Sequence, residues 1–137
     1  MFREEELFIE GEKRLGLYQV QIARSLSTGW AAAVPPLNAM VTNYRLILQP
    51  QTRKPYEPAS IPNTYITKVS DVLLGPRNGV LVALKTGHQL NMYIALDQIK
   101  KFNKDLKQMM TPPIRGHFAT DLAENDIQRL IEFINRL

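Results

Sequence analysis

Between Tyr18 and Leu96 the apolar residues of this chain recur at every second position in short runs, and from Asp97 onward they recur at every third and fourth. A period of two puts side chains on alternate faces of an extended strand. A period near 3.6 gathers them on one stripe of a helix. The switch confines the chain to one arrangement, a block of strands followed by helix, so the expected class is α+β, mainly β.

The strand block divides at its turn residues. In LYQVQIAR, Tyr18, Val20 and Ile22 alternate with Gln19 and Gln21, the pattern of a half-buried strand. A connection rich in Gly, Ala and Pro follows, then a short run around Val41. Leu46, Ile47 and Leu48 make another, stopped by Pro50. Between these two runs lies the polar block Thr42-Asn43-Tyr44-Arg45. It predicts a hairpin tip turned by Asn43-Tyr44, because Asn tolerates the left-handed backbone of tight hairpins. Arg45 is expected to leave this corner with its side chain reaching outward.

Glu57 to Ile61, bounded by Pro58 and Pro62, suits a sheet edge, since proline cannot donate to a ladder. YITKVSDVLL is the next strand, and Gly75-Pro76-Arg77-Asn78-Gly79 reads as a turn. Val80, Val82 and Leu84 then alternate, Gly87-His88 makes a corner, and Leu90, Met92, Ile94 and Leu96 alternate on the return. Seven strands with short connections predict an antiparallel barrel or sandwich.

In the helical part, Ile99, Phe102, Leu106 and Met109 form one apolar stripe, with Lys100, Lys101, Lys104 and Lys107 on the other faces. Asp97 falls in the first turn, where the helix dipole favours an anion, and Pro112-Pro113 stops the helix. A second helix is expected over about residues 121–137, opened by Asp121 and Glu124 as a capping box, with Ile127, Leu130, Ile131 and Ile134 as its stripe. An apolar face of that size needs cover. The helix therefore packs back on its own domain or joins two copies in a homodimer.

The length of 137 residues predicts a single domain, 1–137. No run of eighteen apolar residues suggests a membrane span, and the acidic start MFREEELFIE is not expected to act as a secretory signal. With no cysteine there is neither a disulfide framework nor a thiolate metal site, in keeping with a cytoplasmic protein or one peripheral to a membrane. Charge is unevenly placed. Residues 1–12 set Arg3 against five glutamates, whereas residues 13–115 set fourteen Lys and Arg against Glu57, Asp71, Asp97 and Asp105. A middle so basic attracts a phosphate-rich partner where its charges share one face.

The candidate ligand-binding or membrane-binding residues are Arg24, Trp30, Arg45, Arg53 and Lys54. A Trp-led apolar connection, Trp30 to Leu37, could dip into a bilayer interface while these cations meet acidic headgroups. The alternative is that Trp30 belongs to the barrel wall. No catalytic, metal or cofactor motif occurs. Ser25 or Ser27 paired with His88 or His117 is the only nucleophile arrangement to consider, and nothing in the spacing favours it. A small enzyme is therefore the weakest alternative. A basic nucleic-acid-binding domain is the other, drawing on Tyr44 and Tyr56 near Arg45, Arg53 and Lys54, with few stacking aromatics to support it.

Three motifs occur in a telling order. Gly11-Glu12 precedes the first strand, Thr42-Asn43-x-Arg45 sits between apolar runs, and Ile61-Pro62 is followed by Ile66 and Val69. Over about residues 7–110 the chain resembles the GRAM branch of the pleckstrin-homology superfold. The resemblance implies a seven-stranded antiparallel barrel or sandwich closed by a C-terminal amphipathic helix, with the helix at 121–137 as an addition. It also implies a non-catalytic module without a cofactor, which binds membrane phosphoinositides or other proteins. Lipid-binding pleckstrin-homology domains carry a Lys-x-n-Arg/Lys-x-Arg cluster from the end of strand one into the next loop. Here ARSLSTGWAAAVPPLNAM offers Arg24 alone. One guanidinium does not make a phosphate clamp, so no stereospecific inositol-phosphate pocket is expected there.

Overall fold

The computed structural model describes residues 11–33, 36–51, 59–85 and 87–110. They form eight strands, β1 (Arg14–Leu26), β2 (Gly29–Ala32), β3 (Leu37–Thr42), β4 (Arg45–Pro50), β5 (Ala59–Pro62), β6 (Ile66–Leu74), β7 (Arg77–Leu84) and β8 (Gln89–Ile94), followed by one helix, α1 (Ile99–Met110). Short 3-10 turns at Asn63–Tyr65 and Leu96–Gln98 join β5 to β6 and lead into α1.

The sheet runs β5-β4-β3-β1-β8-β7-β6, with β2 paired to β1 off this path, and every pairing is antiparallel. The path is open, ending at β5 and β6, so the architecture is sandwich-like rather than a closed barrel. The prolines beside β5 had marked an edge strand, and β5 is one. β1 serves both halves: Arg14 to Val20 pair with β3, and Val20 to Ile22 pair with β8.

Alternation explains the core. Val20 and Ile22 of β1, Val80, Val82 and Leu84 of β7, and Met92 and Ile94 of β8 turn to one side, where Ala39, Val41, Leu46, Leu48 and Ile61 join them from the other half. Ile99, Phe102, Leu106 and Met109 of α1 close this cluster, as their spacing predicted. Phe102 is fully buried, its ring centroid 4.8 Å from that of Tyr18. Met40 of β3 and Ile47 of β4 pair with each other and are also buried, though they face away from the main core. Burial on both sides is why these strands read as nearly continuous apolar runs.

Several expectations are corrected. The Gly- and Ala-rich connection contains a strand, β2, which forms a hairpin with the end of β1 in the register Ser25↔Trp30 and Leu26↔Gly29. Gly29 makes this hairpin feasible, because its φ of +130 suits glycine and few other residues. The turn after β6 needs only Gly75-Pro76, and Arg77 to Gly79 already belong to β7. β8 stops at Ile94, and Leu96 lies exposed in a 3-10 turn instead of ending the strand. Arg53, Lys54, the start of the strand expected from Glu57, and the helix expected at 121–137 lie outside the described residues, as does His117.

Candidate functional site

The polar block between β3 and β4 does form the hairpin tip, but by different means from those expected. No described residue other than glycine has a positive φ, so Asn43 does not supply left-handed backbone. The turn is held by Thr42 instead, whose Oγ1 accepts the backbone N–H groups of Tyr44 at 3.1 Å and Arg45 at 3.0 Å. A hydroxyl that bonds the chain two and three residues ahead stabilises a turn without strained backbone.

Asn43 spends its side chain on the segment before β1. Its Oδ1 accepts the Lys13 N–H at 2.7 Å, its Nδ2 donates to the Gly11 carbonyl at 3.0 Å, and its own N–H donates to the Lys13 carbonyl at 3.1 Å. Gly11 has φ +83, a conformation that favours glycine, and a Cβ there would stand 2.5 Å from the Tyr44 hydroxyl and push that side-chain tip aside. This docking lays Glu12 across the tip. The Glu12 carboxylate accepts Thr42 Oγ1 at 2.6 Å, Arg45 Nε at 2.9 Å and Arg45 Nη2 at 3.0 Å, while Arg45 Nη1 donates to Ser60 Oγ at 3.0 Å. Both charged side chains are buried.

Arg45 therefore does not reach outward. Its guanidinium turns onto the sheet and is forked to a buried carboxylate. Two of the motifs noted in the sequence, Gly11-Glu12 and Thr42-Asn43-x-Arg45, are the two halves of one internal lock.

A second polar cluster was not anticipated. Asp105, on α1, is buried and accepts a hydrogen bond from the Tyr18 hydroxyl of β1. Lys101 Nζ, one helical turn away, donates to Asp105 Oδ2 and to the Tyr18 hydroxyl, each at 3.0 Å. Burial, reinforced by the bond to Asp105, raises the Tyr18 pKa; the bonds to Tyr18 and Asp105 raise that of Lys101. The cluster pins α1 to β1. The one signal in the sequence was an acid at position 105, within the arc of Phe102, Leu106 and Met109, where a carboxylate needs a partner.

The remaining candidates do not converge. Arg24 is half-buried opposite Ala31, and Trp30 is paired with Ser25, so the two point to opposite faces of the β1–β2 hairpin. Trp30 is 37% exposed, and its Cδ1 lies 3.9 Å from where a Cβ on Gly75 would stand. It leans on the β6–β7 turn beside a small outer cluster of Ala23, Leu74 and Tyr93. Arg77 covers the Tyr93 ring at 4.2 Å from its centroid, a cation–π contact. Among the described residues the exposed cations are Lys13, Arg14, Lys68, Arg77 and Lys85 on strands or their ends, and Lys100, Lys101, Lys104 and Lys107 on α1. Among the described residues no three His, Asp or Glu side chains are grouped to hold a metal ion, and no helix is long and apolar enough to cross a membrane.

No family model and no curated protein match the sequence. Solved structures do match the fold. The Vps36 N-terminal PH domain superposes with a TM-score of 0.58 at 14% identity, covering 75% of this chain and 83% of that one. The C-terminal domain of an unknown protein from Leishmania infantum superposes with a TM-score of 0.53, also at 14% identity, over 79% of this chain and 92% of that one. At such identity the likeness concerns architecture alone. With its antiparallel strands, shared β1 and closing helix, the chain has a pleckstrin-homology-like fold.

Proposed function

We propose that this chain is a non-catalytic binding module of the GRAM type within the pleckstrin-homology-like fold, and that it engages an anionic membrane surface from the cytoplasmic side. The observation that carries this reading is how the described charges divide. Arg45 is consumed by Glu12 inside the fold, while the lysines of α1 stay on the surface. Surface lysines suit a diffuse anionic layer, to which each adds about 1 kcal/mol. A protein partner is the second reading, favoured by Trp30, 37% exposed on the β1–β2 hairpin. Catalysis and nucleic-acid binding have no comparable support.

Co-sedimentation of the full chain with phosphatidylcholine vesicles, with and without anionic lipid and at two salt concentrations, tests the proposal. Binding is expected only with anionic lipid, and it should fall with salt as the screening length shrinks below the ~8 Å of physiological ionic strength. Sedimentation that ignores both lipid charge and salt would overturn it.

A further inference from the structure

Leu73 and Leu96 are the most exposed large apolar side chains among the described residues, each at 72%. They come to the same end of the sheet. Leu73 of β6 pairs with Asn78 of β7, and the next residue of β7, Gly79, pairs with Tyr93 of β8, so Leu73 is level with Ile94. Leu96 follows two residues later, in the turn that opens α1.

Leu73 also lies on the helix-bearing side of its strand. It shares a face with Asp71, two residues before it, and Asp71 accepts a hydrogen bond from Asn103 of α1. Two steps of four from Leu96 reach Lys100 and Lys104, both exposed on one side of the helix. At about 1.5 Å per residue the two lysines stand roughly 6 Å apart along the helix axis. The acid of α1, Asp105, is buried and held by Tyr18 and Lys101, so it does not offset this pair. Asp97 and Asp71 flank its start, Asp71 engaged with Asn103.

We propose that Leu73, Leu96, Lys100 and Lys104 form the face by which this domain lies on a phosphatidylserine-containing bilayer. The inference rests on the membrane reading above and adds which face makes contact. Two exposed leucines beside Lys100 and Lys104 have the composition of an interfacial surface, the apolar groups entering the headgroup boundary and the ammonium groups meeting anionic headgroups. Lysine is a flexible point charge, suited to many loosely placed phosphates and carboxylates rather than to one bidentate site.

The test uses the full chain as wild type, the double variant Lys100→Glu/Lys104→Glu, the double variant Leu73→Ser/Leu96→Ser, and Trp30→Ser. Each is sedimented with phosphatidylcholine vesicles containing or lacking phosphatidylserine, and each is melted to confirm its fold. Wild type and Trp30→Ser should bind in a phosphatidylserine-dependent manner, and each double variant should lose about fivefold or more in bound fraction. If wild type binds and both double variants bind equally well, this face is wrong while the membrane reading stands. Loss of binding in Trp30→Ser would move the contact to the hairpin and overturn the proposal. If wild type ignores phosphatidylserine, the membrane reading fails and the proposal with it.

Discussion

The β3–β4 tip and the β1–β2 hairpin invert what their compositions suggest. The tip is polar and charged, yet Thr42 and Arg45 are buried and bonded to Glu12. The hairpin is apolar, yet it leaves Leu26 and Trp30 half in water. The difference lies in what each segment meets. At the tip a second segment supplies a carboxylate of complementary charge and reach, so polar groups can leave water without losing their partners. At the hairpin Trp30 lies against the flank of the β6–β7 turn and stays 37% exposed. Polarity in a sequence thus marks where a partner is required, not where a ligand binds.

This contrast should be largest when one half of the lock is removed. Glu12→Ala leaves the Arg45 guanidinium buried without its carboxylate, and should lower stability by about 3–5 kcal/mol. Chemical denaturation would read this as a lower midpoint at an unchanged slope. A variant as stable as wild type would mean the ion pair contributes nothing net.

Asn43→Gly gives a sharper, smaller test. Were Asn43 chosen for left-handed backbone, glycine would serve as well or better. Since the side chain instead bonds Gly11 and Lys13, its loss should cost about 1–2 kcal/mol, at roughly 0.5–1.5 kcal/mol per bond. A thermal melt at or above the wild-type midpoint would restore the backbone explanation. The smallest effect is expected at the hairpin. Leu26→Ala should cost about 1 kcal/mol, because a side chain 48% exposed has only about half of its apolar surface left to lose. A drop as large as that of Glu12→Ala would erase the contrast between the two regions.

Much of the fold was legible because burial repeats locally. Val80, Val82 and Leu84, or Ile99, Phe102, Leu106 and Met109, announce their element by spacing alone, and the core receives them as expected. Pro62 likewise marked β5 as an edge through a missing donor. β2 was hidden because GWAA has no period and, Trp30 apart, no residue favoured in strands. Its pairing depends on the turn that Gly29 makes and on the free side of β1. The candidate site was less legible still. Of the five proposed residues, Arg24 and Trp30 share a hairpin but not a face, and Arg45 is spoken for.

What the sequence determined by itself is the order of strands then helix, the positions of most turns, and the identity of the core residues. Those features follow from the chain's own periodicity and from the backbone limits of Gly and Pro, which act over a few residues. Only the tertiary structure decided that Arg45 turns inward, that Asp105 is held by Tyr18 and Lys101, and that Leu73 and Leu96 emerge at one end beside the lysines of α1. The physical reason is distance along the chain. Glu12 lies 33 positions from Arg45, and Tyr18 lies 87 from Asp105. A charge or hydroxyl shows no periodic trace of a partner that far away; the pairing exists only once the sheet has brought both ends together.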